Sequence, residues 1–353
     1  MSLLIDSFPA LPVGIKNGIG GLLGTRLYVG LGSAGKQLFY YDLEQPESGW
    51  QQAADFPGTE RNDACYVVSN DKLYVFSGAG KLPDGHAPVV LDDAYQFDAI
   101  TNQWSKLSTT LPIGLLGASA CGLSTGQLVF FGGYCKETFD SFVARLSSVD
   151  VKAEPEKHQS LLTEFMSRPV FGYGWNRDIW AYDLATNSWS VLAENPFAAN
   201  CGAGIVQQGK TVTLIEGEIK PGLRSLQTKQ FQFDSLTDIT SKLCASIYDL
   251  DCQHEGLAGH YVGVIANQIL AVGGAYFIGS QRNFNNKQWY SHQGLSKHYS
   301  NSIWRFDGKA WYRERALPQG VAYGVAISAD NRIYILGGEN KFGIAQTRCY
   351  VLS

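Results

Sequence analysis

The run Ile215-Glu-Gly-Glu-Ile-Lys-Pro-Gly-Leu-Arg-Ser225 sets two carboxylates, Glu216 and Glu218, at the end of an apolar strand. Lys220 and Arg224 follow across a Pro-Gly turn. Charge in such a place costs free energy unless partners stand nearby, so the pattern points to a site rather than to plain structure. A positioned glutamate can take a proton from a hydroxyl. A guanidinium recognises a carboxylate through two parallel hydrogen bonds. The competing structural reading is an Arg-Glu pair that only ties the loop. A second chemistry-bearing stretch, Tyr276 to Tyr299, mixes aromatics and amides with Arg282, His292 and His298, a composition suited to a polar sugar pocket or to an ordinary surface loop.

The elements that must carry these residues are legible from a repeat. Six β-rich runs end in a glycine corner: Leu27 to Gly32, Leu73 to Gly78, Leu128 to Gly133, Val212 to Gly217, Ile269 to Gly274 and Ile333 to Gly338. An aromatic-aspartate pair follows most of them (Tyr41-Asp42, Phe97-Asp98, Tyr182-Asp183, Phe233-Asp234, Phe306-Asp307), and then, in four cases, a tryptophan: Trp50, Trp104, Trp189 or Trp311. A sheet of this kind cannot bury both faces alone, and radial stacking solves the problem. The expectation is an all-β fold, a six-bladed propeller of kelch type forming one domain over residues 1–353. After the last corner only one further strand remains, Ala345 to Leu352. The N-terminal Phe8-Pro-Ala-Leu-Pro12 looks like the tails of outer strands elsewhere, so residues near Leu4 to Leu11 are expected to complete the sixth blade and remove the exposed edge.

Two segments interrupt the repeat. Between the corner at Gly133 and the strand at Ile179 lies a long insertion whose Ser141 to Phe165 portion, with a helical apolar pattern, reads as one or two short helices. Such an insertion maps to one face of a propeller and is expected to form a lid or wall of a site. The second is the Tyr276–Tyr299 stretch.

Composition excludes some partners. Charged residues make up 17% of the chain and the net charge is −4, which argues against nucleic acid or an anionic membrane surface. No apolar run is long enough to span a bilayer, and Met1 to Asp6 lacks the pattern of a signal peptide. The seven cysteines (65, 121, 135, 201, 244, 252 and 349) show no tight metal-type pairing and read as small buried hydrophobes, with a Cys244–Cys252 bridge as an alternative. Such a set favours a reducing compartment. No metal or redox cofactor is expected, and the sequence is silent on oligomeric state.

Several strings together resemble the N-acetylneuraminate epimerase family, bacterial sialic acid mutarotases built on a kelch propeller. They are Gly217-Glu-Ile-Lys-Pro-Gly-Leu-Arg224, Tyr28-Val-Gly-Leu-Gly-Ser-Ala-Gly35, Tyr290-Ser-His-Gln-Gly-Leu295 with Lys297 and Tyr299-Ser300, and Ala322-Tyr-Gly-Val325. The resemblance runs from about Pro9 to the C-terminus. It implies conversion of the α-anomer of N-acetylneuraminate into the β-anomer, with Glu218 as catalytic base and Arg224 beside it. It also implies substrate contacts from Arg61, Arg282, His292, Glu216 and Tyr323, and a periplasmic location, against the cytoplasmic alternative that the cysteines favour.

Mutarotation opens and recloses a cyclic hemiketal, so it needs a base for the anomeric hydroxyl and an acid for the ring oxygen. A tyrosine, His292 or a water can serve as that acid. The partner is then a small acidic sugar. The chain departs from the family pattern at Gln281-Arg282, where the arginine falls one position late, and at Val321, where the family has arginine; a related acidic sugar is the alternative substrate. Two other classes compete, a non-catalytic kelch interaction module and another propeller enzyme. Sialidase boxes are not found, and the six histidines show no copper-ligand arrangement.

Overall fold

The computed structural model describes residues 3–249 and 254–353. Each glycine corner ends the second strand of a four-stranded antiparallel sheet, and there are six such sheets. Their innermost strands are Ile19–Leu23, Cys65–Ser69, Ser119–Gly122, Gly204–Gln208, Tyr261–Ile265 and Val325–Ala329. Each packs against the next and the last against the first, which closes a six-bladed kelch-type propeller. The second strands are its driest part; Leu73, Val75, Phe76, Val129, Phe130, Ile333 and Leu336 are fully buried. Continuous apolar runs of this kind suit strands covered on both faces.

The closure of the ring follows the sequence expectation, with tighter bounds. Ile5–Phe8 pairs antiparallel with Cys349–Leu352, Ile5 facing Leu352 and Phe8 facing Cys349, as the outer strand of blade six. Ala345 lies before that strand and bridges Glu339 instead.

The tryptophans latch blade to blade. Each indole N–H donates to the tail that follows the outer strand of the preceding blade: Trp50 to the Pro9 carbonyl at 2.9 Å, Trp104 to Ala54 at 3.0 Å, Trp189 to the Thr109 hydroxyl at 2.9 Å, and Trp311 to Ala245 at 3.0 Å. Trp104→Phe keeps most of the ring but deletes the bond, so a loss of about 1 kcal/mol is expected, read as a lower urea midpoint with unchanged slope. In four of the five aromatic-aspartate pairs (Asp42, Asp98, Asp183 and Asp307) the aspartate caps the following turn, as Asp98 does by accepting from the Ile100 and Thr101 amides.

The first insertion forms two helices, α1 (Lys136–Ser147) and α2 (Pro155–Met166), joined by stacking of Phe142 on Phe165 at 3.6 Å. The second contains a hairpin, Ala275–Phe277 with Lys297–Tyr299, and a short helix α3 (Ser280–Asn285). Among the described residues no helix is long and apolar enough to cross a membrane. The six described cysteines are unbridged, and four of them are buried. The Cys244–Cys252 bridge weighed from sequence falls on Cys252, outside the described residues.

Candidate active site

The loops that enter the innermost strands meet at the propeller axis in a closed ring of backbone hydrogen bonds. Asn17 N–H donates to Tyr323 O (2.7 Å), Asp63 to Asn17 (3.0 Å), Gly117 to Asp63 (2.9 Å), Gly202 to Gly117 (2.8 Å), Gly259 to Gly202 (2.9 Å) and Tyr323 to Gly259 (2.7 Å). All six residues take left-handed φ values between 52° and 69°. Three of them are glycines, and the other three project side chains. Tyr323 is the unusual member, because a bulky residue rarely adopts this conformation and such strain clusters at functional sites. Its ring lies over Gly259, where an added Cβ would come within 2.3 Å of it.

One step outward, the residue after each glycine corner pairs with the residue before each ring member, as in Cys201 with Glu218, Leu116 with Tyr134 and Ala322 with Glu339. Ring and collar enclose an axial cavity of about 400 Å3 lined by Asn17, Asp63, Tyr134, Glu218 and Tyr323, with Phe139 of α1 in its wall. The helical insertion therefore does wall the cavity.

Glu218 reaches the cavity through its hairpin. Glu218–Lys220 pairs with Leu223–Arg224, and the register sets Glu218 directly opposite Arg224. Cross-strand neighbours of opposite charge meet, and Arg224 Nη1 lies 3.1 Å from Glu218 Oε1. The contact is ionic rather than a well-angled hydrogen bond. Arg224 is also fixed by its Nε donating to Ala275 O at 3.1 Å and by the Phe277 ring 4.9 Å from its Cζ. Its side chain is 1% exposed, against 22% for Glu218. The glutamate thus opens on the cavity while the arginine stands behind it, so a two-pronged grip of Arg224 on a ligand carboxylate is not presented to the cavity.

The hairpin turn is held from above. Gly222 has φ +78°, and a Cβ there would fall 1.7 Å from His292 Nδ1. Burial, then the charges of Arg224 and Lys220, push the His292 imidazole down to about 4, so the ring is neutral at ordinary pH. Lys220, fully buried, donates to Arg168 O at 2.7 Å and Trp289 O at 2.6 Å, pinning both insertions to the hairpin.

The other sequence candidates separate. Tyr323 lines the cavity with Glu218, and His292 packs on the hairpin. Glu216 is turned away: it is 1% exposed, lies 2.6 Å from His254 Nε2 and accepts the Leu257 amide at 2.6 Å. Burial opposes a charge on His254, but Glu216 outweighs it and raises its pKa. Arg61 does not face the cavity either. Its Nη1 is 2.8 Å from Asp93 and 2.9 Å from Ser77 O, its Nε donates to Thr59 O, and its Cζ stacks 4.7 Å from the Phe56 ring. Buried and bonded this way, it locks blade two. Arg282 is exposed on α3. The residue before it, Gln281, turns inward instead and donates to Arg224 O at 2.8 Å.

Sequence reading missed Asp63, Tyr134 and the cluster around Glu339. Glu339 follows Gly337-Gly338 as Glu218 follows Glu216-Gly217, so the repeat register held the signal for it. Lys16 (2.5 Å), Lys297 (2.7 Å) and Tyr299 all donate to Glu339. Burial opposes its ionisation, yet these bonds win and hold its carboxyl at about 2. A folded pKa below the ordinary 4.5 stabilises the fold above that pH, and the contribution is lost as pH falls toward 2. Urea midpoints of the wild type should fall across this window, and Glu339→Gln should be weaker at pH 7 with a flatter acid dependence.

Comparison with known proteins gives the family and agrees with the propeller fold. Residues 8–353 match the family model for N-acetylneuraminate epimerase. A kelch domain-containing protein of Vibrio cholerae is 51% identical over 353 residues, covering 100% of this chain and 99% of its own length. The N-acetylneuraminate epimerase of Vibrio vulnificus is 38% identical over 353 residues, covering 100% of this chain and 92% of its own. The solved structure of YjhT superposes with a TM-score of 0.91 at 30% identity, covering 97% of this chain and 95% of its own. The chain belongs to the N-acetylneuraminate epimerase family.

Proposed function

We propose that the protein is a cofactor-independent mutarotase that equilibrates the α- and β-anomers of N-acetylneuraminate. The observation that carries this reading is the Glu218 carboxylate, opposite Arg224 at 3.1 Å, opening on the axial cavity. Glu218 takes the proton of the anomeric hydroxyl as the ring opens and returns it on reclosure. Arg224 orients that carboxylate and keeps positive charge behind it, where the substrate's own negative carboxylate arrives. Tyr323 and the neutral His292 shape the sugar side of the cavity and its hairpin. The reaction moves protons only and calls for no electron acceptor. The family resemblance supports sialic acid as the small-molecule partner and the periplasm as the place of work.

The test is proton NMR of the anomer signals after sialidase has released the α-anomer. The protein at catalytic concentration should shorten the approach to the equilibrium mixture. Superimposable time courses with and without protein would remove the enzyme reading and leave a binding module.

A further inference from the structure

Nearly every carboxylate at this end of the propeller has a partner that explains it. Glu216 holds His254, Glu218 faces Arg224, Glu339 gathers two lysines and a tyrosine, Asp93 takes Arg61, and Glu255 accepts from Gly279, Ser280 and Gln281. Asp63 differs. Among the described residues its side chain takes part in no hydrogen bond or ion pair, and it is exposed to the cavity that Glu218 lines. Its backbone is fully committed to the axial ring, donating to Asn17 O and accepting from Gly117 N–H, with φ +53°. The ring therefore displays this carboxyl at the axis without using it. Between Asp63 and the Glu218 collar position the ring members are Gly117 and Gly202, which project no side chains, and the intervening collar residue Tyr134 lines the same cavity as the two carboxyls.

We infer that Asp63 is the general acid of the same reaction, placed across the axial cavity from Glu218 to protonate the sugar's ring oxygen; this assignment rests on the mutarotase reading above. In the opening step Glu218 accepts the anomeric hydroxyl proton as the bond between the anomeric carbon and the ring oxygen breaks. The electron pair of that bond goes to the ring oxygen, which takes the proton of Asp63, and a carbonyl forms at the anomeric carbon. Rotation about the adjoining carbon–carbon bond offers the other face. Reclosure runs in reverse: Asp63 takes the hydroxyl proton back, and Glu218 protonates the carbonyl oxygen. Both carboxyls end as they began, so the cycle balances.

The charges around Asp63 fit the role. The groups that face it are Glu218 from the blade-four hairpin, Glu339 from blade six, Lys16 from the entry loop and Lys297 from the second insertion, with the neutral phenols of Tyr134 and Tyr323 beside them. Enclosure by the funnel wall, then repulsion from Glu218 and Glu339, push its carboxyl up to about 7 against the pull of the two lysines. Cavity water reaches the side chain and tempers that rise. Two carboxyls of unlike environment are the usual arrangement for an acid and a base sharing one reaction.

Asp63→Asn and Asp63→Gly test the assignment. Both residues already occupy this ring conformation, Asn at position 17 and Gly at position 117, so the backbone tolerates them. A carboxyl whose folded pKa is raised weakens the fold as pH climbs, so Asp63→Asn should melt no lower than wild type at pH 8, which verifies folding. The expected result is a kcat lower by about 10²-fold with KM within roughly twofold. Wild-type activity should fall as pH rises between the ordinary carboxyl value of 3.8 and about 7, and this limb should vanish in Asp63→Asn. Added formate should restore part of the rate to Asp63→Gly. Unchanged kcat and pH profile in an active background, a rise in KM alone, or no formate rescue with the limb intact would overturn the assignment and leave the mutarotase reading standing. A wild type that leaves equilibration at the solvent rate would overturn both.

Discussion

Glu218→Gln is expected to lower the rate of anomer equilibration by about 10²- to 10⁴-fold, the range that a positioned acid or base contributes. Gln keeps the size and one acceptor oxygen, so the hairpin should survive. Its register is fixed by backbone pairing with Leu223–Arg224 and by the Cys201–Glu218 bridge, neither of which needs the carboxylate. The loss should fall on kcat more than on KM, because the missing function is proton transfer rather than sugar binding. Arg224, left without its partner, still donates to Ala275 O and stacks on Phe277, which limits the stability cost. Progress curves of the α-anomer signal at several substrate concentrations check both expectations.

The second large effect is on stability and separates Arg61 from Arg224. Arg61→Met should destabilise the protein by about 3 kcal/mol, because removing one member of a buried pair strands the other. Asp93 keeps 19% exposure, which places the cost at the lower end for such pairs. Activity of the remaining folded protein should stay near wild type, since the guanidinium is turned to Asp93, Ser77 and Thr59 rather than to the cavity. Urea denaturation gives the first number, and specific activity well below the melting transition gives the second. An Arg61→Met protein of normal stability and lost activity would restore the arginine to the site.

Much of the fold was legible because a propeller repeats its physics. Glycine corners, aromatic-aspartate turns and latch tryptophans each recur at one place per blade, so copies reinforce one another, and even the closing strand could be read from its resemblance to other outer-strand tails. The site was legible only where the repeat broke. Glu218 stood out because the double-glycine corner before it has become Glu216-Gly217, which puts two carboxylates together at a strand end. Arg61 and Arg282 could not be placed, because what decides their direction is a partner distant in sequence, Asp93 for the first, or a one-residue phase on a short helix for the second, where Gln281 takes the inward position. Glu216 lies two residues before Glu218, a spacing that shares one face on an extended strand, but left-handed backbone at Glu216 (φ 50°) and Gly217 (φ 82°) breaks the strand there and turns the two carboxylates apart. Asp63 carried no local signal at all. Its significance comes from the axial ring, which joins six loops from different blades and exists only after the ring has closed.

Glu218 in the axial cavity is the group proposed to interconvert the anomers. Magnetisation exchange between the α and β signals of N-acetylneuraminate at equilibrium measures this without any coupled enzyme. Exchange should rise in proportion to wild-type protein and return to the solvent rate with Glu218→Gln. Equal exchange with both proteins at equal concentration would contradict it.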